Sequence, residues 1–154
     1  MKLEIDTASV MAGLADLQEQ AYSVARTMGA AVGAAMRDEA KSRVRSDSGR
    51  LAAAIVVKFA QEWSTKREVR YIVTWNRKKA PHGHLVEFGH WRTNVVTQLP
   101  NGQWITTSER LEKPVWVAAK PFLRPAQAAI TPVAMNIATR AGAARWNELS
   151  QGGK

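Results

Sequence analysis

Three histidines, one carboxylate and two aromatic rings crowd into twelve positions, Ala80-Pro81-His82-Gly83-His84-Leu85-Val86-Glu87-Phe88-Gly89-His90-Trp91. His82 and His84, two residues apart, would share one side of a strand and could hold a metal between them. No second histidine or carboxylate cluster supplies the remaining ligands, so the favoured reading is of solvent-facing loop histidines. Glu87 is the only acid in the segment, which leaves a paired-carboxylate mechanism without its partner. No serine sits in a Gly-x-Ser-x-Gly elbow, and Gly29 and Gly33 lack the Lys-Ser/Thr of a phosphate loop. Cysteine is absent, which removes disulfides and thiolate chemistry. With no catalytic, cofactor-binding or metal constellation assembled, the expectation is a protein that is not an enzyme. The segment reads as a structural corner, with Phe88 as a core anchor and Gly89 permitting a sharp turn. Glu87 would pair with a basic residue, Arg124 being the candidate.

Charge is the louder signal. Lys and Arg number 22 against 13 acids, a net charge of +9 with a pI near 10.4. Such a surface concentrates polyanions, nucleic acid above all; solubility, or an acidic partner subunit, would explain it equally well. The candidate DNA-facing cations are Arg43, Arg45 and Arg50, around the end of the first helix, and Arg70, Arg77, Lys78 and Lys79, around the strongest strand. Arg43 and Arg45 would in any case complement the helix dipole. Six tryptophans stand at 63, 75, 91, 104, 116 and 146. Aromatics beside cations can stack on bases. Their places on strands and in a hairpin favour core and interface instead, with Trp91, Trp104 and Trp116 the candidates for subunit contact.

The elements that must position these residues follow from periodicity. The 154 residues suit one domain, with no repeat and no dividing linker. Leu3 and Ile5 alternate as a short strand, and Asp6 or Thr7 can cap the helix expected from Ala8 to about Arg45. Its small-residue run Gly29–Ala35 suggests close helix–helix packing, with a break near Thr27–Gly29 as the other option. Ser46-Asp47-Ser48-Gly49 turns the chain into strands at Ile55–Phe59 and Val69–Trp75, joined by the charged loop Glu62–Glu68. A projecting hairpin over 94–107 is centred on Pro100-Asn101-Gly102. A charged connector (Glu109–Lys113) and a short strand (Pro114–Ala119) lead to Pro121 and Pro125, which open a last helix to Leu149, kinked or restarted at Pro132. Residues 150–154 form a flexible tail. The fold class is α+β: a long N-terminal and a C-terminal helix on a small, mainly antiparallel sheet. The first residues carry acids where a signal peptide would be apolar, and no run is long enough to span a membrane, so a soluble protein made in the cytoplasm is expected.

Three short motifs, in order, carry a resemblance: Ser48-Gly49-Arg50-Leu51 followed by Ile55, Val86-Glu87-Phe88-Gly89, and Lys120-Pro121-Phe122-Leu123-Arg124-Pro125-Ala126. Together they resemble the minor tail, or neck, protein family of long-tailed bacteriophages and prophages, often called tail-completion or head–tail joining proteins. The resemblance covers roughly Val10 to Ile137. It implies a fold and assembly signature at Gly49, Leu51, Glu87, Phe88, Gly89, Pro121, Phe122, Arg124 and Pro125. It also implies a virion subunit at the head–tail junction, assembled in the host cytoplasm into a six-fold ring with its own copies. Other neck and tail proteins would flank the ring, and packaged double-stranded DNA would pass through its lumen. His90 stands where the family usually has threonine, Ala54 where serine is common, and the 94–107 hairpin is longer than the family pattern. The alternative is a free-standing, non-sequence-specific nucleic-acid-binding protein using the basic residues above.

Overall fold

A computed structural model describes residues 7–44 and 49–151. The strand at Leu3–Ile5, Arg45, the turn residues Ser46 to Ser48 and positions 152–154 lie outside the described residues. Helix α1 runs unbroken from Thr7 to Arg43. Proline is absent from it, and Ala, Leu, Met, Gln, Glu and Arg, all good helix formers, fill most positions. Gly29 and Gly33 do not break it; they admit a neighbour. A Cβ on Gly29 would lie 2.7 Å from Tyr71 Cδ2, and one on Gly33 2.8 Å from Val57 Cγ1. The neighbour there is a sheet, not the helix expected. Helix meets helix elsewhere on α1, where Gly142 brings the last helix against Val24 and Met28.

The sheet that rests on these glycines pairs β1 (Ile55–Phe59) antiparallel with β2 (Tyr71–Trp75), Ile55 opposite Trp75 and Phe59 opposite Tyr71. A short helix α2 (Arg50–Ala54), not signalled by periodicity, leads into it. After β2 comes α3 (Gly83–Phe88), then a second, separate antiparallel pair, β3 (His90–Gln98) and β4 (Trp104–Val117). The hairpin is therefore longer than 94–107, and the expected connector and the expected short strand as far as Val117 are part of β4. Both strands of a two-stranded ribbon are edges, and residues on its two faces meet water. Glu109, Arg110, Glu112 and Lys113 thus show no apolar alternation to reveal the strand, and Pro114 is tolerated in it. The chain closes with α4 (Leu123–Ile130), a 3-10 turn over Thr131–Val133 containing Pro132, and α5 (Ala134–Gln151). The helix restarts where the proline demands it.

The α+β class is as expected, with the sheet divided in two. The buried apolar cluster is small in volume: Ala40, Leu51, Ala54, Ile55, Ala80, Phe122 and Ala126. Its four alanines bring helices and sheet close but exclude little water. Many large apolar side chains correspondingly stay exposed, among them Met11, Leu14, Leu17, Trp91, Trp104 and Trp116.

Candidate functional site

The corner is built by successive caps. Beyond β2, Asn76 Oδ1 accepts from the backbone N–H groups of Lys78 and Lys79 at 2.9 and 3.3 Å, and Asn76 O from that of Ala80 at 2.9 Å. Helix α3 starts at Gly83, which is buried against the Trp75 indole with no room for a side chain. It ends at Gly89, where φ is 76° and ψ 171°, and where a Cβ would lie 2.8 Å from Val117 O. That conformation is essentially confined to glycine.

On the inner side of α3, Glu87 is 1% exposed. Its Oε2 accepts from the backbone N–H groups of Phe122 and Leu123 at 2.7 and 3.0 Å. Oε1 accepts from the N–H of Arg124 at 3.2 Å and from Arg124 Nε at 3.1 Å, and Arg124 Nη2 returns to the Glu87 carbonyl at 2.8 Å. These N–H groups open α4, where an intrahelical acceptor is missing, so a carboxylate from 36 residues earlier in the chain caps the helix opposite its positive end. Pro125 sits one residue further on, in the first turn, where a missing N–H is harmless. Burial would raise the Glu87 pKa, but the N–H donors of Leu123, Phe122 and Arg124, with the guanidinium, outweigh it and hold the pKa below its ordinary value. A carboxylate so saturated and shielded is a fastener, not a base. The expected partnership with Arg124 is present.

Phe88 is not the core anchor. It is 60% exposed, with the Arg124 guanidinium 5.2 Å above its ring. Neighbouring helical residues point about 100° apart, and once Glu87 faces the interior Phe88 must turn outward. The buried ring is Phe122, edge-on to Trp75 at 6.0 Å. Gly49 has φ of 65°, and Leu51 is buried; Pro121 immediately precedes Phe122 at the start of α4.

Of the candidate cations, Arg43, Arg50 and the exposed turn Arg77-Lys78-Lys79 flank one buried cluster, next to Ala40, Leu51 and Ala80. Arg43 is occupied by Glu39 at 2.7 Å. Arg70 binds Glu68 at 2.8 Å and lies at the other end of β2, roughly 17 Å away. The set does not form one patch, and nothing in the geometry favours a free-standing nucleic-acid binder. His84 Nδ1 lies 2.9 Å from Pro81 O. Among the described residues no three His, Asp or Glu side chains gather as metal ligands, and no helix is long and apolar enough to cross a membrane.

Trp91 and Trp116 stand opposite each other across the ribbon, ring centroids 5.3 Å apart at 64°, and both are exposed. Trp104 is exposed too but lies at the far end of the hairpin, opposite Gln98. Sequence reasoning missed Met11, Leu14 and Leu17, which are bare on the N-terminal part of α1. The signal was legible: an apolar stripe on a helix of 37 residues outruns its 18-residue partner.

A family model described as "Bacteriophage HK97-gp10, putative tail-component" matches residues 8–89, more than half of the chain. The match takes in α1, the first sheet and the corner through Gly89; the hairpin and the α4 motif that receives Glu87 fall outside it. No curated protein and no solved structure matches.

Proposed function

The chain belongs to the HK97-gp10-like family of bacteriophage tail components, and from that premise we propose that it is a connector subunit which completes the tail or joins it to the head. A tail component is part of the virion and works among other tail proteins. In this reading the protein acts at the head–tail junction as a ring of its own copies, six-fold as the resemblance implies, around the DNA passage. It is made in the host cytoplasm, and its role is structural, not catalytic.

One observation carries the reading: among the described residues large apolar side chains stand exposed, from Met11, Leu14 and Leu17 on α1 to the indoles of the ribbon. A protein that leaves so much area wet, with Trp91, Trp104, Trp116 and Trp146 among the exposed rings, is a subunit whose burial is completed by neighbours. The exposed cations at Arg50 and Arg77–Lys79 suit a lumen that touches phosphates without reading sequence. The test is electron microscopy of particles assembled without this chain. Separate heads and tails are expected; joined, infectious particles would sink the proposal.

A further inference from the structure

Leu14, Leu17, Ala21, Val24 and Met28 follow one another at spacings of three and four, the seam of a helix pair. Helix α5 covers the later part of that seam. Gly142 sits against Val24 and Met28, Arg145 Nε donates to Ser23 Oγ at 3.1 Å, and α5 then ends at Gln151. Toward the start of α1 the stripe continues uncovered: Leu14 is 56% and Leu17 52% exposed, with Met11 beside them at 66%. One stripe is thus packed over part of its length and wet over the rest.

We propose that this N-terminal arm of α1 docks on a second copy of the chain, laid across the neighbour's Trp91–Trp116 face. The inference rests on the ring reading above and names the contact that would link its subunits. Charge selects the occupant. From Met11 to Ala25 the chain has Asp16 and Glu19 but no Lys or Arg, in a protein whose net charge is +9. Both acids stand off the apolar stripe and so act at long range: two arms would repel each other, whereas an acidic arm is drawn to the basic remainder of a neighbour. Continuity selects the kind of contact: the bare stretch prolongs a seam that already buries apolar side chains against another segment of this chain. The receiving face is aromatic and open, with both rings on one side of the ribbon. Arm and ribbon are two unlike patches, which a head-to-tail ring requires and an isologous dimer does not.

A benzophenone photo-crosslinker placed at Leu14 of the full chain, incorporated during particle assembly and then irradiated, tests this. The expected product is an adduct of two copies whose joined peptide contains Trp91 or Trp116. The same probe at Asp16, across the helix, should give none. The double variant Leu14→Lys/Leu17→Lys, with the probe moved to Met11, should lose the adduct while keeping the wild-type Tm, since both side chains are exposed. A lowered Tm would make the arm part of the subunit's own fold and overturn the inference. So would adducts to another virion protein, between two arms, or none at all from particles that contain the chain; each leaves the junction role standing. Joined particles that lack the chain altogether would overturn the role itself.

Discussion

Glu87 and Trp91 are four residues apart and solve opposite problems. At the corner a charged group is taken inside, and its carboxylate is met by four donors from within the chain. On the ribbon two large rings are left largely outside, set against each other, with Trp116 also lying over Gly89. A monomer under selection only for its own stability would be expected to do the reverse, since burying a charge is expensive and burying an indole is favourable. The difference teaches where the fold stops. At Glu87 the polar groups are paired within the subunit, while the indoles of the ribbon are left in water.

The comparison breaks most directly at the acid. Glu87→Ala removes the acceptor of three backbone N–H groups and of one guanidinium while all of them remain in place. The expected loss is about 3–5 kcal/mol, because three backbone N–H groups at the buried start of α4 are orphaned together; the exposed Arg124 guanidinium adds little. Urea unfolding followed by circular dichroism measures it. A loss under about 1 kcal/mol would mean that the corner is as dispensable as an exposed ion pair.

Gly89→Ala comes next. The residue holds φ of 76° with ψ of 171°, and the new Cβ would press on Val117 O and Trp116. A decrease of about 2–3 kcal/mol is expected from the backbone conformation and the contact together. Since Gly89 joins the corner to the ribbon, the variant also asks whether the two regions unfold as one; separate transitions in the far- and near-ultraviolet would show that they do not.

Acid sharpens the contrast without deleting an atom. The folded-state pKa of Glu87 lies below the ordinary value of 4.5. Its contribution is therefore complete above that value, declines as pH falls below about 4.5, and is gone once pH has passed the folded-state pKa. Glu87→Gln cannot titrate. The gap in unfolding free energy between wild type and Glu87→Gln should thus narrow steadily on acidification through that window. A constant gap would show that ionisation of Glu87 contributes nothing to the corner.

How much of this could be read beforehand depends on whether a signal was local. The long helix, the kink at Pro132, the Asn101-Gly102 hairpin and the strand Tyr71–Trp75 rest on periodicity and turn chemistry within a few residues, and the sequence displays them. The split of the sheet and the true length of β4 depend on what neither face of the ribbon touches, which alternation cannot express. The Glu87–Arg124 pair was legible because two separate motifs each carried one opposite charge. Its geometry was not: that Glu87 would take the interior and Phe88 the surface depends on the backbone donors at residues 122–124, which no side-chain pattern announces. Gly29 and Gly33 signalled close packing correctly, but the expected neighbour was a helix and the observed one is the sheet.

The gentlest substitution tests the other half of the comparison. Trp91→Ala removes one ring of an exposed pair. Edge-to-face aromatic contacts contribute about 0.5–1.5 kcal/mol beyond area, and little area is buried here, so the subunit should lose only about 1 kcal/mol. By the same measurement Glu87→Ala should lose several times more. If instead Trp91→Ala unfolds the chain as readily as Glu87→Ala, the ribbon is part of the subunit's own core and the opposition drawn between the two regions fails. If stability holds while particles no longer join heads to tails, the indole is being kept for a neighbour. An exposed residue whose removal spares the fold and abolishes assembly is one whose burial happens between subunits.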